Sequence, residues 1–215
     1  RFNIVFIIIF FLNISFLLSE YDEIIVTYGI KAGINLSTLN GEQAFLFVHD
    51  NRLDATSKVS AVGGLQLEFS FNEKFAIQPE LIVSMKGTNF DANEYVHSWS
   101  LWYVELPVLL KSVFEMDNNI NGAIYAGPAI AYKIKSTWSE KYLDHYLYED
   151  KKLYGINYFD FSAIVGTSFD MAAFNSRIGI DLRYTYGLIG IQKQISAQNG
   201  AISIALYYII GNTIY

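Results

Sequence analysis

The chain has 215 residues, of which 52% are hydrophobic and 16% aromatic, and its formal net charge at pH 7 is −6. This composition excludes a disordered chain, and the lack of a basic tract argues against nucleic acid as a partner because phosphate binding needs clustered Lys and Arg. The sequence contains no cysteine, which excludes disulfide scaffolds, thiolate metal sites and cysteine nucleophiles.

The first predicted element is an apolar segment at residues 1–20. It begins with Arg1, continues as a nearly unbroken apolar run and gives way to acidic residues from Glu20 onward. That order is typical of a secretory signal peptide, so we predict a signal peptide at 1–20 and one mature domain at 21–215. The alternative is a single transmembrane anchor, since the run approaches the roughly 20 residues that span a bilayer. Polar residues inside it, such as Asn13, weaken that interpretation.

After residue 24 the hydrophobic pattern repeats every two residues, which predicts strands rather than helices. In the clearest block, Leu65, Leu67 and Phe69 alternate with Gln66 and Glu68. Similar blocks of β-branched and aromatic residues recur along the chain. Eight strands are predicted, in chain order at 25–37, 59–71, 75–88, 98–113, 120–135, 156–170, 174–187 and 200–210.

The connections between these strands alternate between short and long. Short connections follow the second, fourth and sixth strands, whereas 38–58, 136–155 and 188–199 are longer and 91–97 is brief. Long strands in an even number, with short turns at one end, are typical of transmembrane barrels. We therefore predict an all-β fold, an eight-stranded antiparallel up-and-down transmembrane β-barrel. Its polar residues fill an interior of this size, so we expect no open pore.

Three prolines fall inside predicted strands: Pro79, Pro107 and Pro128. Each one removes a backbone donor from the ladder, and proline in a sheet normally marks an edge or a bulge. Because a closed barrel has no edge, we expect local bulges at these positions or strand ends displaced by a few residues.

Several short motifs lie in the same order as in a known family. They are Pro79-Glu80-Leu81, Lys86-Gly87, 103–111 (YVELPVLLK) and Ala126-Gly127-Pro128, with 28–35 (YGIKAGIN) in the first strand and 181–188 (DLRYTYGL) in the seventh. Over most of residues 28–210 the chain resembles the PorT-like outer-membrane β-barrel domain family of porin-family small barrels. The resemblance implies a bacterial outer-membrane location and an eight-stranded barrel. One branch of the family is associated with protein secretion and gliding machinery.

The partners expected for such a protein follow from its location. They are the lipid bilayer of the outer membrane and the barrel-assembly machinery that inserts barrels into it. Other envelope proteins could bind through the outer loops, and no nucleic acid is expected.

Nine charged residues on the polar faces are the candidates for chemistry: Glu68, Glu80, Lys86, Glu105, Lys111, Lys133, Asp160, Asp181 and Arg183. Paired carboxylates, such as Glu80 and Glu105 on neighbouring strands, can do acid/base work. Charges inside a barrel must nevertheless be paired to be tolerated. We therefore interpret the nine as a structural interior network, in which pairs such as Glu80 with Lys111, or Glu105 with Arg183, meet that need.

Three histidines fall in or beside the predicted outer loops: His49, His97 and His145. With Asp50, Asp91 or Asp144 they would suit a zinc-like ion if the loops converged. Their separation has no ligand spacing, and the chain has no nucleophile-elbow, HExxH or phosphate-loop motif. We predict no catalytic residue, no cofactor, no metal site and no enzymatic activity.

Two interpretations of the whole chain remain open at this point. The first is an integral outer-membrane barrel with a structural or interaction role in the envelope or in secretion. The alternative is a soluble or lipid-anchored secreted barrel that binds an apolar small molecule, which needs apolar residues inside and polar ones outside. The aromatic run 138–148 suits partner or sugar binding, but we favour an aromatic girdle at the membrane surface.

Overall fold

The computed structural model describes residues 24–41, 44–48, 51–92, 95–117, 119–143, 145–173, 176–192 and 197–214. Within this part the chain forms β1 (Ile25–Asn40), β2 (Phe45–Val48), β3 (Asn51–Thr56), β4 (Lys58–Ser70), β5 (Phe75–Ala92), β6 (Tyr95–Asp117), β7 (Ile120–Tyr142), β8 (His145–Lys152), β9 (Phe159–Ala173), β10 (Ser176–Gly187) and β11 (Gln198–Ile214). The predicted signal peptide at 1–20 lies outside the described residues and stays a prediction. A helix with the length and apolar character to cross a membrane is absent from the described residues.

Eight strands form a closed antiparallel ring in the order β1, β4, β5, β6, β7, β9, β10 and β11, and β11 pairs back with β1. Each corresponds to one of the eight predicted strands, so the predicted barrel is confirmed. The largest differences are extensions: β6 covers Tyr95–Asp117 where 98–113 was predicted, and β7 covers Ile120–Tyr142 where 120–135 was predicted.

The ring is staggered, so its strands are tilted. A path through paired residues leaves β1 at Val26 and returns to β1 at Leu36, ten residues further along the strand. The path runs Val26, Phe69, Ile77, Leu110, Ala126, Val165, Tyr184, Ile202 and Leu36. Every residue on it is apolar or aromatic. An eight-stranded barrel with this tilt has an interior just wide enough for side chains to fill.

The two faces of the ring have opposite polarity. On β11, Ile202, Ile204 and Leu206 are about half exposed, whereas Ser203 and Tyr207, one position away from them, are buried. The same alternation recurs on the other seven strands, and the inward side chains include the buried charged residues together with small or apolar residues such as Ala129 and Leu109. A barrel that is polar inside and apolar outside contradicts the alternative of a soluble barrel with an apolar cavity, which needs the reverse.

The two ends of the ring differ in their connections. At the end named here the turn end, 71–74 links β4 to β5, and the Asn72 side chain accepts the N–H groups of Lys74 and Phe75 at 2.8 and 2.7 Å. At the opposite end, the loop end, β5, β6 and β7 continue beyond the ring. The strands β2, β3 and β8 join them in the order β2-β3-β5-β6-β7-β8, which we call the loop-end sheet. Its three short strands lie in 38–58 and 136–155, which were predicted as loops.

Neither a bulge nor a strand end lies at any of the three prolines, contrary to expectation. The pairing register passes each proline without a shift, and each keeps its pairing with one neighbour: Pro79 with Val108, Pro107 with Ala129, and Pro128 with Ala163. A strand residue donates its N–H toward one neighbour only, so each proline costs one bond on one side and leaves the other side intact. The shifts within the ring lie elsewhere, at Tyr28/Gly29, Trp102/Tyr103 and Glu115/Asp117.

Candidate functional site

Four charged side chains meet in the middle of the barrel, and we name them the central quartet: Lys31, Glu80, Asp181 and Arg183. Arg183 donates to both carboxylate oxygens of Glu80 at 2.8 and 3.0 Å, and its Nε donates to Asp181 at 2.8 Å. Lys31 Nζ lies 2.8 Å from Glu80 Oε1 and 3.2 Å from Asp181 Oδ2. The four charges sum to zero and all four side chains are buried. The quartet joins opposite walls of the ring across the interior.

Neighbouring residues position the quartet. The hydroxyl of Tyr125 donates to Asp181 Oδ2 at 2.8 Å, and Gln78 Nε2 donates to Glu80 Oε1 at 2.6 Å. Tyr125 has room because Gly166 stands opposite it: a Cβ at Gly166 would come within 2.5 Å of the tyrosine ring. The two carboxylates therefore accept hydrogen bonds from neutral groups as well as from the cations.

Toward the turn end the interior holds two more ion pairs. Lys111 Nζ lies 2.6 Å from Glu68 and donates to Gln78 at 3.3 Å. Arg177 pairs with Asp170, which also accepts the hydroxyl of Tyr207 at 2.9 Å. These groups are buried or half-buried, so the interior near the turn end is also filled by paired charges.

Toward the loop end the interior is polar first and then apolar. Lys86 lies 2.7 Å from Glu105, and Asn199 donates to Asp160 at 2.7 Å. Above them lies a buried apolar cluster, the loop-end cap, which consists of Leu39, Leu53, Phe90, Leu101, Tyr103, Ala131, Ile156, Ile191 and Ala197. The interior thus holds paired charges at its centre and an apolar cluster at its loop end.

The pairs suggested from the sequence are not those that form. Glu80 pairs with Lys31 and Arg183 rather than with Lys111, and Glu105 pairs with Lys86 rather than with Arg183. Lys31 on β1 and Arg183 on β10 reach Glu80 across the narrow interior, whereas Lys86 and Glu105 lie on the neighbouring strands β5 and β6.

Of the nine candidates, Lys133 lies apart from the interior network. The network also contains three charged residues that the nine omitted: Lys31, Asp170 and Arg177. Lys133 is half-buried at the loop end, where its Nζ donates to the carbonyl of Ile156 at 2.6 Å. Lys31 could have been found from the sequence, because it alternates with the apolar Ile30 and Ala32 on the first strand.

The histidines do not converge among the described residues. His97 is buried on β6, with its Nε2 3.8 Å from Glu140, whereas His145 is exposed on β8. His49, Asp50 and Asp144 lie outside the described residues. Within the described part of the chain, no group of three or more His, Cys, Asp or Glu residues is arranged to hold a metal ion.

The aromatic run 138–148 does not lie at the girdle position. Tyr146 and Tyr148 are exposed on β8, which pairs with β7 from Thr137 onward, beyond the segment Ile120–Tyr132 where β7 pairs with β9. The aromatic cluster at the edge of the ring is a different one. Tyr132 lies 5.4 Å from Phe159 and 6.2 Å from Tyr158, measured between ring centroids. The run 138–148 therefore lies on the loop-end sheet rather than at the edge of the ring.

Comparisons with known proteins identify the family of the chain. The family described as outer membrane protein beta-barrel domain matches residues 22–193. No curated protein matches the sequence. Among solved structures, Ail, the attachment invasion locus protein of Yersinia pestis, is 11% identical, with 86% of this chain and 98% of that chain covered at a TM-score of 0.40.

Two further solved structures are similar to the same extent. Neisserial surface protein A is 11% identical, with 84% of this chain and 96% of that chain covered at a TM-score of 0.44. The N-terminal β-barrel domain of Pseudomonas aeruginosa OprF is 8% identical, with 85% and 97% covered at a TM-score of 0.41.

Proposed function

Because the chain belongs to the outer membrane protein beta-barrel domain family and spans the bacterial outer membrane, we propose that it is a closed barrel that presents its loop-end sheet for interactions at the cell surface. Short turns of transmembrane barrels face the periplasm and long connections face outward. By that rule the loop end of this barrel lies outside the cell.

The loop-end sheet is the observation that carries this proposal. The strands β6 and β7 have 23 residues each, whereas β10 in the same ring has 12. A strand needs only about 9–11 residues to cross the bilayer at a tilt. The additional residues are not needed to cross the bilayer. Those of β7 pair with β8, whose eight residues are all exposed.

A cross-linking experiment in intact cells tests the interaction role. A photoreactive amino acid at Tyr148 on β8 is expected to form protein adducts, while the same group at the lipid-facing Ile124 on β7 serves as the matched control. Adducts at position 148 that disappear when whole cells are treated with an external protease would support the proposal. Equal adducts at both positions, or none at 148, would contradict it.

Closure is the second part of the proposal and is supported by the interior. The central quartet joins opposite walls, and the loop-end cap lies above it. The purified protein is expected to give no conductance steps in planar bilayers. Substituting both Glu80 and Arg183 with Ala removes two of the side chains that fill the centre but leaves the loop-end cap, so this variant is also expected to give no conductance steps. Stable channels from the native protein would overturn closure.

We also infer that the barrel is not an enzyme. The carboxylates that could do acid/base work, Glu80 and Asp181, accept hydrogen bonds from Arg183 and Lys31 and are buried. A substrate would have to pass the loop-end cap to reach them. A hydrolytic activity of the folded protein that Glu80→Gln abolishes would contradict this inference.

We further propose that the chain is a PorT-like member with an envelope role in secretion. The motif residues 103–111 lie together on β6 and supply Glu105 and Lys111 to two of the interior ion pairs, which supports a common barrel design. Deleting the gene is expected to leave secreted proteins in the periplasm. Normal secretion in the deletion strain would contradict the role while leaving the barrel itself unaffected.

A further inference from the structure

A cleft of about 1080 Å³ opens at the loop end of the barrel, beside β7 and the segment 150–158. Three lysines line it, Lys133, Lys135 and Lys152, against a single acid, Asp150. The lining therefore carries two more positive than negative charges, in a chain whose overall net charge is −6. The net charge of the cleft lining is therefore opposite in sign to the net charge of the whole chain.

Among the described residues that line the cleft, a single acid faces the three lysines. Lys135 lies 3.5 Å from Asp150, which accounts for the one acid. Lys133 and Lys152 instead lie over aromatic rings, at 4.8 Å from the Tyr158 centroid and 5.1 Å from the Tyr154 centroid. Burial and the nearby Lys152 ammonium both lower the pKa of Lys133. The two ammonium groups repel each other, so an anion bound between them would stabilise both charges.

The position of the cleft relative to the membrane indicates the kind of anion. Lys133 follows Tyr132, a member of the aromatic cluster with Tyr158 and Phe159 at the edge of the ring. Aromatic side chains collect at the level of the lipid headgroups. On the membrane side of Lys133, Tyr132 on β7 and Phe161 on β9 are exposed. The surface is thus apolar toward the membrane and cationic just beyond it.

We propose that this cleft binds the phosphorylated sugar headgroup of a glycolipid in the outer leaflet of the outer membrane. Basic pockets at the membrane surface recognise anionic lipid headgroups in this way. Lys133 and Lys152 bind the phosphate, Lys135 reinforces them, and Thr137 and Gln192, which also line the cleft, face the sugar hydroxyls. The acyl chains lie against the outward apolar side chains of β7 and β9. The cleft shares Asp150 and Lys152 with β8 but does not include Tyr148, the position at which the proposed interaction role is tested.

Binding of bisphosphorylated lipid A to the detergent-folded protein tests the proposal. The test variant carries Lys133→Gln, Lys135→Gln and Lys152→Gln, and the matched control carries Lys141→Gln and Lys151→Gln, two lysines of the same hairpin that do not line the cleft. The expected result is at least a tenfold loss of affinity in the test variant and less than a twofold change in the control. Both variants are first checked for the mobility shift on boiling that marks a folded barrel.

Two further ligands separate the sources of the anion. Lipid A without its phosphates is expected to bind the native protein as weakly as bisphosphorylated lipid A binds the test variant. The soluble phosphorylated disaccharide without acyl chains is expected to bind at least tenfold more weakly than the lipid. Equal binding of the disaccharide would assign the cleft to a soluble glycan and overturn the lipid, and equal losses in test and control variants would overturn the site itself.

Discussion

The ring and the loop-end sheet share the strands β5, β6 and β7, but they differ in whether every strand has two paired neighbours. In the ring every strand has two paired neighbours, so no backbone edge is left open, as lipid requires because it cannot replace a missing hydrogen bond. The loop-end sheet has two edge strands, β2 and β8. Such edges are tolerated only where water can reach them. The solvent around each segment, rather than its sequence pattern alone, decides whether the sheet closes.

The edge at β8 carries features that discourage pairing with other chains. Asp150 has a positive φ of 46°, and the pairing with β7 shifts register twice, near Trp138 and Glu140. The strand ends in Lys151 and Lys152. Lysine and irregular pairing are the usual protections of exposed edges. The ring needs no such protection.

The largest expected effect comes from breaking the central quartet. In Glu80→Gln, Arg183 and Lys31 share only one buried carboxylate, and we expect a loss of about 3–5 kcal/mol in the free energy of unfolding. The matched control at the loop-end sheet is Arg52→Gln, which breaks an exposed pair with Asp54 and is expected to cost about 0–1 kcal/mol. Denaturant unfolding in lipid vesicles measures both. Equal losses would contradict the distinction between ring and sheet.

A charge on the outer surface of the ring is expected to have the next largest effect. Leu206 on β11 is 59% exposed on the lipid-facing side. The substitution Leu206→Arg should cost about 2–4 kcal/mol in vesicles, because the guanidinium must leave water. The same change at Tyr148 on the loop-end sheet should stay within about 0.5 kcal/mol. If Tyr148→Arg costs as much as Leu206→Arg, the loop-end sheet lies in the membrane.

Adding a methyl group inside the ring should cost less. A Cβ at Gly179 would overlap the ring of Tyr207, so Gly179→Ala is expected to lose about 1–3 kcal/mol through overpacking. The variant that combines Gly179→Ala with Tyr207→Leu should lose less than the sum of the two single variants, because the second change removes the overlap. Simple additivity in the unfolding free energies would show that the two side chains do not meet.

The smallest effect on stability concerns the edge strand. Replacing Glu149 and Lys151 with Val removes two exposed charges from β8 and should change the free energy of unfolding by no more than about 0.5 kcal/mol. It should instead raise the dimer fraction in detergent, since a less charged edge pairs more readily. Sedimentation measures that fraction. A variant that remains as monomeric as the native protein would show that the irregular pairing alone protects the edge.

The ring could be predicted from the sequence because two signals agree in it. Alternation such as that of Leu65 to Phe69 gives each strand, and the alternating connections give the order. The strand β8 escaped prediction because its sequence, HYLYEDKK, has no apolar alternation and every residue is exposed. It is a strand only because β7 continues beside it.

The interior could be predicted in composition but not in its contacts. Strand alternation gives the inward side of Glu80 and Arg183, but their contact depends on the stagger that brings β5 and β10 to the same level across the barrel. That stagger is a property of the closed ring and is not contained in any single strand. Strand alternation also predicted Lys133 inside the barrel, but the alternation does not show where the ring ends, and Lys133 lies at that end.

Spin labels on β11 test most directly whether the ring is a transmembrane barrel with an apolar outer face and a filled interior. The chain lacks cysteine, so single cysteines with spin labels can be placed along 202–207 of β11 in lipid vesicles. We expect labels at 202, 204 and 206 to collide with oxygen dissolved in the lipid, whereas labels at 203, 205 and 207 should be protected from both oxygen and water-soluble nickel. Access of the nickel reagent to the odd positions would reveal an open lumen, and its access to the even positions would contradict a membrane-spanning barrel.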